Sequence, residues 1–385
     1  MVKKNLESAD LAFKSVLIRV DFNIPVDESG DILDDTRILK SLPTIKLCLD
    51  KKAKVFLVSH LGRPKIKSQE KKYSLYKVAE KLSKLLNIKV DFFNRYFDND
   101  FTKTKIGLFE NSRLVDGEIE NDQVLSKKIA ELFDVFVFDA FASAHRAEVT
   151  TCGVSKFIKE KYFGLLVKNE ITNLNKIINN PKKPILSIVG GSKVSTKLPL
   201  LENMIQISDY FIPGGGIANN FLLAQNCFIG SSLSEKNLID ETKKLVKLAE
   251  AKNTKIIYPI DCIVSDSIEG LPQSKDSFDS LKPTDMIFDF GPKTSRLINE
   301  VVEKAETVLW NGPLGVFEKE QFSESTKNLS LSLSTSDAFK VAGGGDTIMA
   351  INKFNILKNI NYISTAGGAF LDYISGKKLP ALEDF

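Results

Sequence analysis

The chain has 385 residues, of which 43% are hydrophobic and 26% are charged. This composition is typical of a soluble protein and leaves room for two domains of about 150 to 200 residues each, although length alone also permits a single barrel. The 53 basic and 49 acidic residues give a net charge of +4 with the signs mixed along the chain, so no basic tract indicates a nucleic-acid partner.

The lengths of the apolar segments and the spacing of the cysteines exclude further classes of protein. No run approaches the roughly 18 apolar residues of a membrane-spanning helix, so we expect no membrane partner. The cysteines are widely separated and form no C-x-x-C pair, which indicates neither a zinc site nor a disulfide framework and favours a reducing, cytoplasmic location.

Short β-branched or aromatic runs alternate with helical patterns almost from end to end, which predicts βαβ units and parallel sheets. The first half contains four predicted strands: Ser15–Asp21, Lys54–Ser59, Lys105–Phe109 and Asp134–Phe138. Each strand ends in polar residues, and these segments are Asp21–Asn23, His60–Arg63, Glu110–Arg113 and Asp139–Arg146.

A helix predicted from about Tyr162 to Asn179 connects the two halves and is stopped by Pro181. The second half has predicted strands at Ile185–Val189, Asp209–Ile212, Thr307–Leu309, Ala338–Ala342 and Asn361–Ser364. These strands end in glycines instead: Gly190–Gly191, Gly214–Gly216, Gly312, Gly343–Gly345 and Gly367–Gly368.

The pattern predicts an α/β protein of two doubly wound, Rossmann-like parallel-sheet domains, joined by an interdomain helix and separated by a cleft. We expect an N-terminal domain over residues 1–165, the helix over 166–180 and a C-terminal domain over 181–370. Ligands of such sheets bind outside the carboxyl ends of the strands. One domain offers arginines there and the other offers glycine amides, so the simplest inference is a kinase that joins a phosphorylated acid to a nucleotide.

Arginine is used sparingly, since the chain has seven arginines among its 53 basic residues. Four of them, Arg37, Arg63, Arg113 and Arg146, follow predicted strand ends in the first half. Arginine differs from lysine in its planar fork, which holds phosphate or carboxylate in a bidentate geometry. The placement therefore predicts a site for a small, multiply anionic ligand.

Several motifs also have plain structural interpretations. Lys193 and Lys197 are predicted to open a helix and to lie on one face of it, yet a lysine pair is often only a solvated basic surface. Asp346 is either a helix cap or a magnesium ligand beside glycine amides that hold phosphate. Asp21 with Asn23 suits an Asx turn as well as a ligand contact. No Walker-type G-x-x-x-x-G-K-[ST] occurs in the sequence, and no G-x-G-x-x-G follows the first strand, which counts against a dinucleotide-binding dehydrogenase.

Five strings taken together closely resemble phosphoglycerate kinase, in order and over essentially the whole chain. They are Arg19-Val20-Asp21-Phe22-Asn23-Ile24-Pro25, Ser59-His60-Leu61-Gly62-Arg63-Pro64, Asp139-Ala140-Phe141 with Ala144-His145-Arg146-Ala147, Trp310-Asn311-Gly312-Pro313-Leu314-Gly315-Val316-Phe317-Glu318, and Gly343-Gly344-Gly345-Asp346-Thr347. The resemblance implies reversible phosphoryl transfer from 1,3-bisphosphoglycerate to ADP, giving 3-phosphoglycerate and ATP. We accordingly expect a monomeric enzyme of glycolysis.

The resemblance also implies which residues carry the reaction. Expected contacts of 3-phosphoglycerate are Asp21, Phe22, Asn23, Arg37, His60, Leu61, Gly62, Arg63, Arg113 and Arg146. Expected contacts of the nucleotide are Gly191, Lys193, Lys197, Gly216, Asn311, Glu318, Gly344, Gly345, Asp346 and Thr347, with Mg²⁺ on Asp346. Charge on the transferring group would be stabilised by Arg37, Lys197, Gly345 and Gly367. A final segment from about Leu371 to the end is expected to pack back on the N-terminal domain.

Some positions depart from the family pattern without removing a charged group assigned to chemistry. They are Ala142-Ser143, Glu148, Ala366, Leu114 and Ile287, and they bear on the shape of the nucleotide pocket and on amide contacts near Gly367. Two alternatives stay open at this point. One is a kinase of the same architecture acting on another acid, and the other is a non-catalytic scaffold, although the chain retains Arg37, Lys197 and Asp346.

Overall fold

The structure, a computed structural model, describes residues 5–64, 71–97, 100–179, 181–364 and 366–385. This part of the chain forms two compact units, each built on a parallel six-stranded sheet. The first unit extends to Thr172 and includes Lys378–Phe385, while the second is Asn173–Lys377. The predicted α/β class with two parallel sheets is confirmed.

The sheet of the first unit has the strand order β3-β4-β2-β1-β5-β6. Its strands are β1 (Ser15–Val20), β2 (Lys54–Val58), β3 (Asp91–Phe93), β4 (Ile106–Phe109), β5 (Val135–Asp139) and β6 (Glu160–Phe163). Its helices are α1 (Thr36–Asp50), α2 (Tyr76–Leu86), α3 (Gln123–Ala130) and the first part of α4 (Leu165–Ile178). The central strands are buried almost throughout, as expected for parallel strands covered by helices on both faces.

The main sheet of the second unit has the order β15-β14-β13-β7-β8-β9. Its strands are β7 (Ile185–Gly190), β8 (Tyr210–Gly214), β9 (Lys255–Ile256), β13 (Thr307–Asn311), β14 (Phe339–Gly343) and β15 (Tyr362–Ser364). A smaller antiparallel sheet contains β10 (Cys262–Ser265), β11 (Gln273–Lys275) and β12 (Met286–Phe290). The helices are α5 (Leu198–Ile207), α6 (Gly215–Ala224), α7 (Ile239–Lys252), α8 (Pro292–Lys304), α9 (Glu324–Thr335), α10 (Gly345–Lys353) and α11 (Gly368–Ile374).

Every predicted strand is present, with ends that differ by one or two residues. The predictions missed β3, β6, β9 and the antiparallel sheet. These are short elements, and the edge strands β3, β6 and β9 are only partly buried, so they lack a long apolar run. Within the described ranges, none of the helices is both long and apolar enough to cross a membrane.

The connector helix α4 begins at Leu165, because the residues before it form strand β6. Asp139 fixes this start: its Oδ1 accepts hydrogen bonds from the backbone N of Leu166 at 2.9 Å and of Val167 at 3.3 Å. The C-terminal segment that joins the first unit begins at Lys378, later in the chain than the expected Leu371. It is held there by Phe385, whose ring stacks on Phe163 at 4.4 Å between centroids.

Candidate active site

The first unit collects its polar strand ends on one edge of its sheet. Strands β4, β2, β1 and β5 are neighbours and all parallel, so the segments that follow them emerge side by side. We call this the arginine edge, defined by Arg37, Arg63, Arg113 and Arg146 with the loops after these four strands.

Arg37 lies in the first turn of α1 and reaches back to the end of β1. Its Nη1 donates to Asp21 Oδ2 at 2.6 Å, and the two side chains are 34% and 11% exposed. The other oxygen of Asp21 accepts from the backbone N of Asn23 at 3.1 Å, which is the Asx turn considered above. Asp21 therefore both forms the turn and orients the Arg37 fork.

The loop after β2 is fixed from two sides. Asn23 Oδ1 accepts from the backbone N of Gly62 at 2.8 Å, and Asn111 bonds both the N and the O of Leu61, at 3.1 and 2.7 Å. Gly62 has φ of +61°, and a Cβ there would lie 2.3 Å from the Tyr73 ring. Only glycine fits this position.

His60 is buried between two guanidinium groups. Its Nδ1 lies 2.9 Å from Arg19 Nη2, and its Nε2 lies 3.0 Å from Arg146 Nη1. Burial, followed by the charges of Arg19, Arg113, Arg146 and Arg37, holds the pKa of His60 well below its usual value. The imidazole is therefore neutral at physiological pH.

The remaining arginines of the edge differ in their hydrogen bonds within the protein and in their exposure to solvent. Arg113 Nη1 donates to the Gly62 carbonyl at 2.6 Å and Nη2 to Glu148 Oε1 at 3.3 Å, in a buried ion pair. Burial and the charge of Arg113 lower the pKa of Arg146. Arg63 is exposed. The edge thus combines guanidinium groups held by protein acceptors, those of Arg37 and Arg113, with the exposed side chain of Arg63.

Two residues expected at this edge contribute through their main chain only. Phe22 is fully buried and Leu61 is 1% exposed, so both side chains belong to the core of the first unit. Their backbone groups lie in the loops of the edge, where the Phe22 N donates to Ser59 Oγ at 2.8 Å.

The second unit presents a different surface, which we call the glycine edge. It is formed at the carboxyl ends of β7, β8, β13 and β14 by Gly191, Gly216, Gly312, Gly344 and Gly345, together with Lys197 and Asn311. The predicted helix at Lys193 is wrong, because α5 begins only at Leu198 and residues 191–197 form a loop that ends in a turn at 195–197. Pro199, at the start of α5, is the sequence signal for this later beginning.

Lys197 is the N-cap residue of α5 and points back across the strand ends. Its Nζ donates to the Gly190 carbonyl at 2.6 Å and to Asn311 Oδ1 at 2.7 Å. Burial lowers the pKa of Lys197 to about 8, an effect that the Asp346 carboxylate opposes. The ammonium group is therefore held by neutral acceptors in a poorly solvated place.

Asn311 and Thr347 tie the strand ends together. Asn311 Nδ2 donates to the Gly343 carbonyl at 2.7 Å. The Thr347 hydroxyl accepts from the Gly312 N at 2.7 Å and donates to the same Gly343 carbonyl at 2.9 Å. Both side chains are buried and engaged within the protein, so their arrangement rigidifies the glycine edge.

Glycine is required where backbone segments meet at this edge. A Cβ on Gly216 would lie 2.4 Å from the Ser192 carbonyl, and Gly344 has φ of +98° at the N-cap of α10. Gly345 begins α10 with nothing within 4 Å of its Cβ position, and Asp346 lies exposed in the same first turn. The first amides of a helix have no partner within the helix, and at Gly345 no side chain of the described residues lies near the Cβ position.

The other predicted positions lie around this helix start and strand ends. Asp346 is not the cap of α10, since Gly344 occupies that place. Lys193 and Glu318 are exposed. Gly367, with φ of +54°, is the N-cap of α11 and also has open space at its Cβ position. Across the described chain, no cluster of three or more His, Cys, Asp or Glu side chains is arranged to hold a metal ion.

An apolar pocket adjoins the glycine edge. Its lining includes Gly215, Gly216, Leu233, Ile287, Leu314 and Val316. Its walls include residues of α6 and of strand β12. Ile287, one of the departures from the family pattern, forms part of its wall.

Sequence reasoning missed the buried residues behind the arginine edge. They are Arg19, Asn111, Glu118, Glu148 and Thr150, and each of these residues is less than a tenth exposed. The available signal was Arg19, a charged residue inside the apolar strand β1. A charge at such a position requires buried partners.

Comparisons with known proteins identify the family of the chain. The family model for phosphoglycerate kinase matches residues 6–377. A phosphoglycerate kinase of Francisella philomiragia is 47% identical over 380 residues, covering 98% of this chain and 97% of its own, and that of Francisella tularensis subsp. novicida is 46% identical with the same coverage. The solved phosphoglycerate kinase of Coxiella burnetii has a TM-score of 0.94 at 43% identity, covering 98% of this chain and 97% of its own. That of Pyrococcus horikoshii has a TM-score of 0.80 at 30% identity, covering 99% and 98%. The chain therefore belongs to the phosphoglycerate kinase family.

Proposed function

We propose that the two edges divide the phosphoglycerate kinase reaction between them, with the acid at the arginine edge and the nucleotide at the glycine edge. The chain is a phosphotransferase of glycolysis that moves a phosphoryl group reversibly from 1,3-bisphosphoglycerate to ADP. The single observation that carries the division is the segregation of guanidinium groups to one sheet and of open glycine amides to the other.

The arginine edge suits a small phosphorylated acid. We assign Arg63, Arg113 and Arg146 to the non-transferred phosphate, because guanidinium forks match phosphate oxygens. Asp21 and His60 would orient the hydroxyl and carboxyl groups. Arg37 is about a third exposed and already oriented by Asp21, and we assign it to the charge on the transferring group. Asn23 and the backbone at Phe22, Leu61 and Gly62 would complete the binding surface.

The glycine edge suits a nucleoside diphosphate or triphosphate. The apolar pocket beside Gly216 would hold the adenine ring, and Ile287 narrows it. Gly191 and Gly216 carry no side chain between the strand ends and the ligand, and the amides at the start of α10 would bind phosphate oxygens. Lys193 and Glu318 are exposed beside this surface and would contact the nucleotide. Lys197 and the amides near Gly345 and Gly367 would stabilise the transferring group.

Asp346 fits the expected magnesium ion. It offers an exposed carboxylate in the first turn of α10, next to amides suited to phosphate. Magnesium in nucleotide sites is typically bound by one or two carboxylates together with phosphate oxygens and water. When bound, the ion would neutralise charge on the nucleotide phosphates.

The chemistry needs no general base. In the direction that consumes ATP, the attacking group is a carboxylate, which is already ionised at neutral pH. Catalysis therefore rests on positioning and on charge stabilisation by Arg37 and Lys197. Because the two ligands bind to separate units, transfer requires that the units approach and exclude water from the acyl phosphate.

We further propose that the protein acts as a cytoplasmic monomer. One chain supplies both edges, so the reaction needs no second copy. Neither alternative from the sequence gains support: a kinase for another acid does not require this set of arginines, and a non-catalytic scaffold does not require Lys197 and Asp346.

A coupled assay of ATP consumption tests the proposed function. With 3-phosphoglycerate and MgATP, the protein is expected to consume ATP with saturable kinetics, and glycerate or 2-phosphoglycerate is expected to be a far poorer acceptor. Lys197→Met serves as the background control. ATP consumption with 3-phosphoglycerate no faster than that of Lys197→Met would refute the proposal.

A further inference from the structure

His60 faces a hydrogen-bonding conflict. Arginine only donates, and both ring nitrogens of His60 lie within hydrogen-bond distance of a guanidinium nitrogen, 2.9 Å from Arg19 Nη2 and 3.0 Å from Arg146 Nη1. A neutral imidazole has one acceptor nitrogen, and an imidazolium has none. Only one of the two contacts is therefore a hydrogen bond in the free protein.

The contact with Arg19 has the stronger structural support. Arg19 is completely buried, its Nε donates to Thr150 Oγ1 at 3.1 Å, and its Nη1 donates to the Val20 carbonyl. The Thr150 hydroxyl in turn donates to Glu118 Oε1 at 2.5 Å, which leaves its lone pair for Arg19. The donors and acceptors of these hydrogen bonds stay the same if Glu118 is protonated on its other oxygen. Each link fixes the next, and the Arg19 fork is left with one orientation.

Arg146 is held less firmly. It is only partly buried, and among the described residues His60 is the one side chain to which its guanidinium is hydrogen-bonded. If His60 Nδ1 accepts from Arg19, then Nε2 carries the proton and points it at the donors of Arg146. Two donors then face each other at 3.0 Å, an arrangement that a ligand oxygen accepting from both would relieve.

We propose that Arg19 is a positioning residue that locks His60 in the Nε2–H tautomer, so that Nε2–H and Arg146 together bind one oxygen of the acidic substrate. This inference rests on the proposed assignment of that substrate to the arginine edge. The low pKa of His60 supports it, because burial and four guanidinium groups keep the ring neutral. Glu118 and Thr150 act behind Arg19 and do not touch the substrate.

Nitrogen-15 NMR of the imidazole rings tests the tautomer directly. The chain has two histidines, so ¹⁵N-histidine labelling gives two ring systems, and His145→Gln assigns them. In the wild-type protein at pH 7, His60 is expected to have a protonated Nε2 and an unprotonated Nδ1. Saturating 3-phosphoglycerate is expected to shift the Nε2–H signal and to leave the tautomer unchanged. A protonated Nδ1 in the free protein, or an Nε2–H signal unmoved by 3-phosphoglycerate, would overturn the proposal.

We expect variants of Arg19 and Arg146 to have opposite effects on the tautomer of His60. Arg19→Met leaves Arg146 as the remaining donor, so the ring is expected to invert to the Nδ1–H tautomer. Arg146→Met is expected to keep the Nε2–H tautomer. In Arg19→Met, the KM for 3-phosphoglycerate is expected to rise about tenfold or more while the KM for ADP stays near its wild-type value. Retention of Nε2–H in Arg19→Met, or its loss in Arg146→Met, would contradict the lock.

Two further variants separate this role from stability. Thr150→Val removes the acceptor that orients Arg19 and is expected to give a mixture of tautomers. Thr44→Val removes another fully buried hydroxyl of the same unit, one that accepts from the Leu165 N at 2.9 Å, and is expected to lower the unfolding temperature without changing His60. A tautomer that shifts equally in both variants would mean that Arg19 has no specific effect. The NMR measurement does not depend on catalysis. Absence of kinase activity would therefore refute the proposed function, while the tautomer of His60 could still be determined.

Discussion

Arg37 differs from the other arginines of its edge because it lies in the first turn of α1 and donates to the Asp21 carboxylate at 2.6 Å. Replacing it with lysine keeps the positive charge and removes the planar fork. We expect Arg37→Lys to lower turnover by roughly 10²-fold or more and to change ADP binding only modestly. Steady-state kinetics and ADP titration measure the two effects. Arg296→Lys, on the exposed face of α8, is the matched control, and near-normal turnover in Arg37→Lys would remove Arg37 from the mechanism.

The lowered pKa of Lys197 leads us to predict that nucleotide binding takes up protons. Burial lowers its pKa to about 8 in the free protein, so part of the population is neutral slightly above pH 8. Nucleotide phosphates beside the ammonium favour its charged form and raise the pKa, so binding is expected to take up protons in that pH range. Calorimetry of MgADP binding at pH 8.5 in buffers of different ionisation enthalpy measures this uptake. An uptake that persists in Lys197→Met would assign the protons to another group.

At the scale of elements, the start of α10 is the part of the glycine edge most open to test. Gly345 has open space at its Cβ position, so Gly345→Ala is expected to leave the unfolding temperature unchanged or slightly raised. The added methyl nevertheless obstructs close approach of phosphate to the helix amides, so we expect nucleotide affinity to fall several-fold.

Comparison with the far end of the same helix controls for this effect. Asn352→Ala, at an exposed position of α10, is expected to leave nucleotide affinity unchanged. Equal nucleotide affinity in Gly345→Ala and Asn352→Ala would show that the α10 N-terminus is not the phosphate site.

The sequence predicted the elements that have long apolar runs and the residues that follow them. Strands β1, β2, β4 and β5 were recognisable because their residues are buried on both faces, and parallel pairing then brought Asp21, His60, Arg113 and Arg146 to one edge. The start of α5 was mispredicted because the spacing of Lys193 and Lys197 fits a helix, whereas Pro199 marks the first turn.

The buried network behind His60 was not predictable in the same way. Arg19 is a charged residue inside the apolar strand β1, and nothing local in the sequence shows that Thr150 lies within hydrogen-bond distance of it. Contacts between residues so far apart in sequence depend on the β1–β5 pairing and on the path of the chain beyond β5. The second nitrogen contact of His60, with Arg146, emerges only from that arrangement.

At the scale of the whole molecule, the division of ligands predicts a coupled motion. Donor and acceptor oxygens must come within a few ångströms for transfer, and each ligand alone favours closure only by its differential contacts with the closed form. We expect the radius of gyration to be smallest when 3-phosphoglycerate and MgADP, which do not react with each other, are both bound. Small-angle scattering on apo, singly liganded and doubly liganded protein measures this, with Lys197→Met and both ligands as control. An unchanged radius in the doubly liganded, active enzyme would refute the motion.

The central claim is that the acid and the nucleotide bind to different units, and separate calorimetric titrations test it most directly. Arg63 and Asp346 are both exposed, so Arg63→Ala and Asp346→Asn are expected to fold normally. Arg63→Ala is expected to weaken 3-phosphoglycerate binding about tenfold or more and to leave MgADP binding unchanged. Asp346→Asn is expected to weaken MgADP binding and to leave 3-phosphoglycerate binding unchanged. Loss of both ligands in either variant, with the fold intact, would contradict the division of the reaction between the two edges.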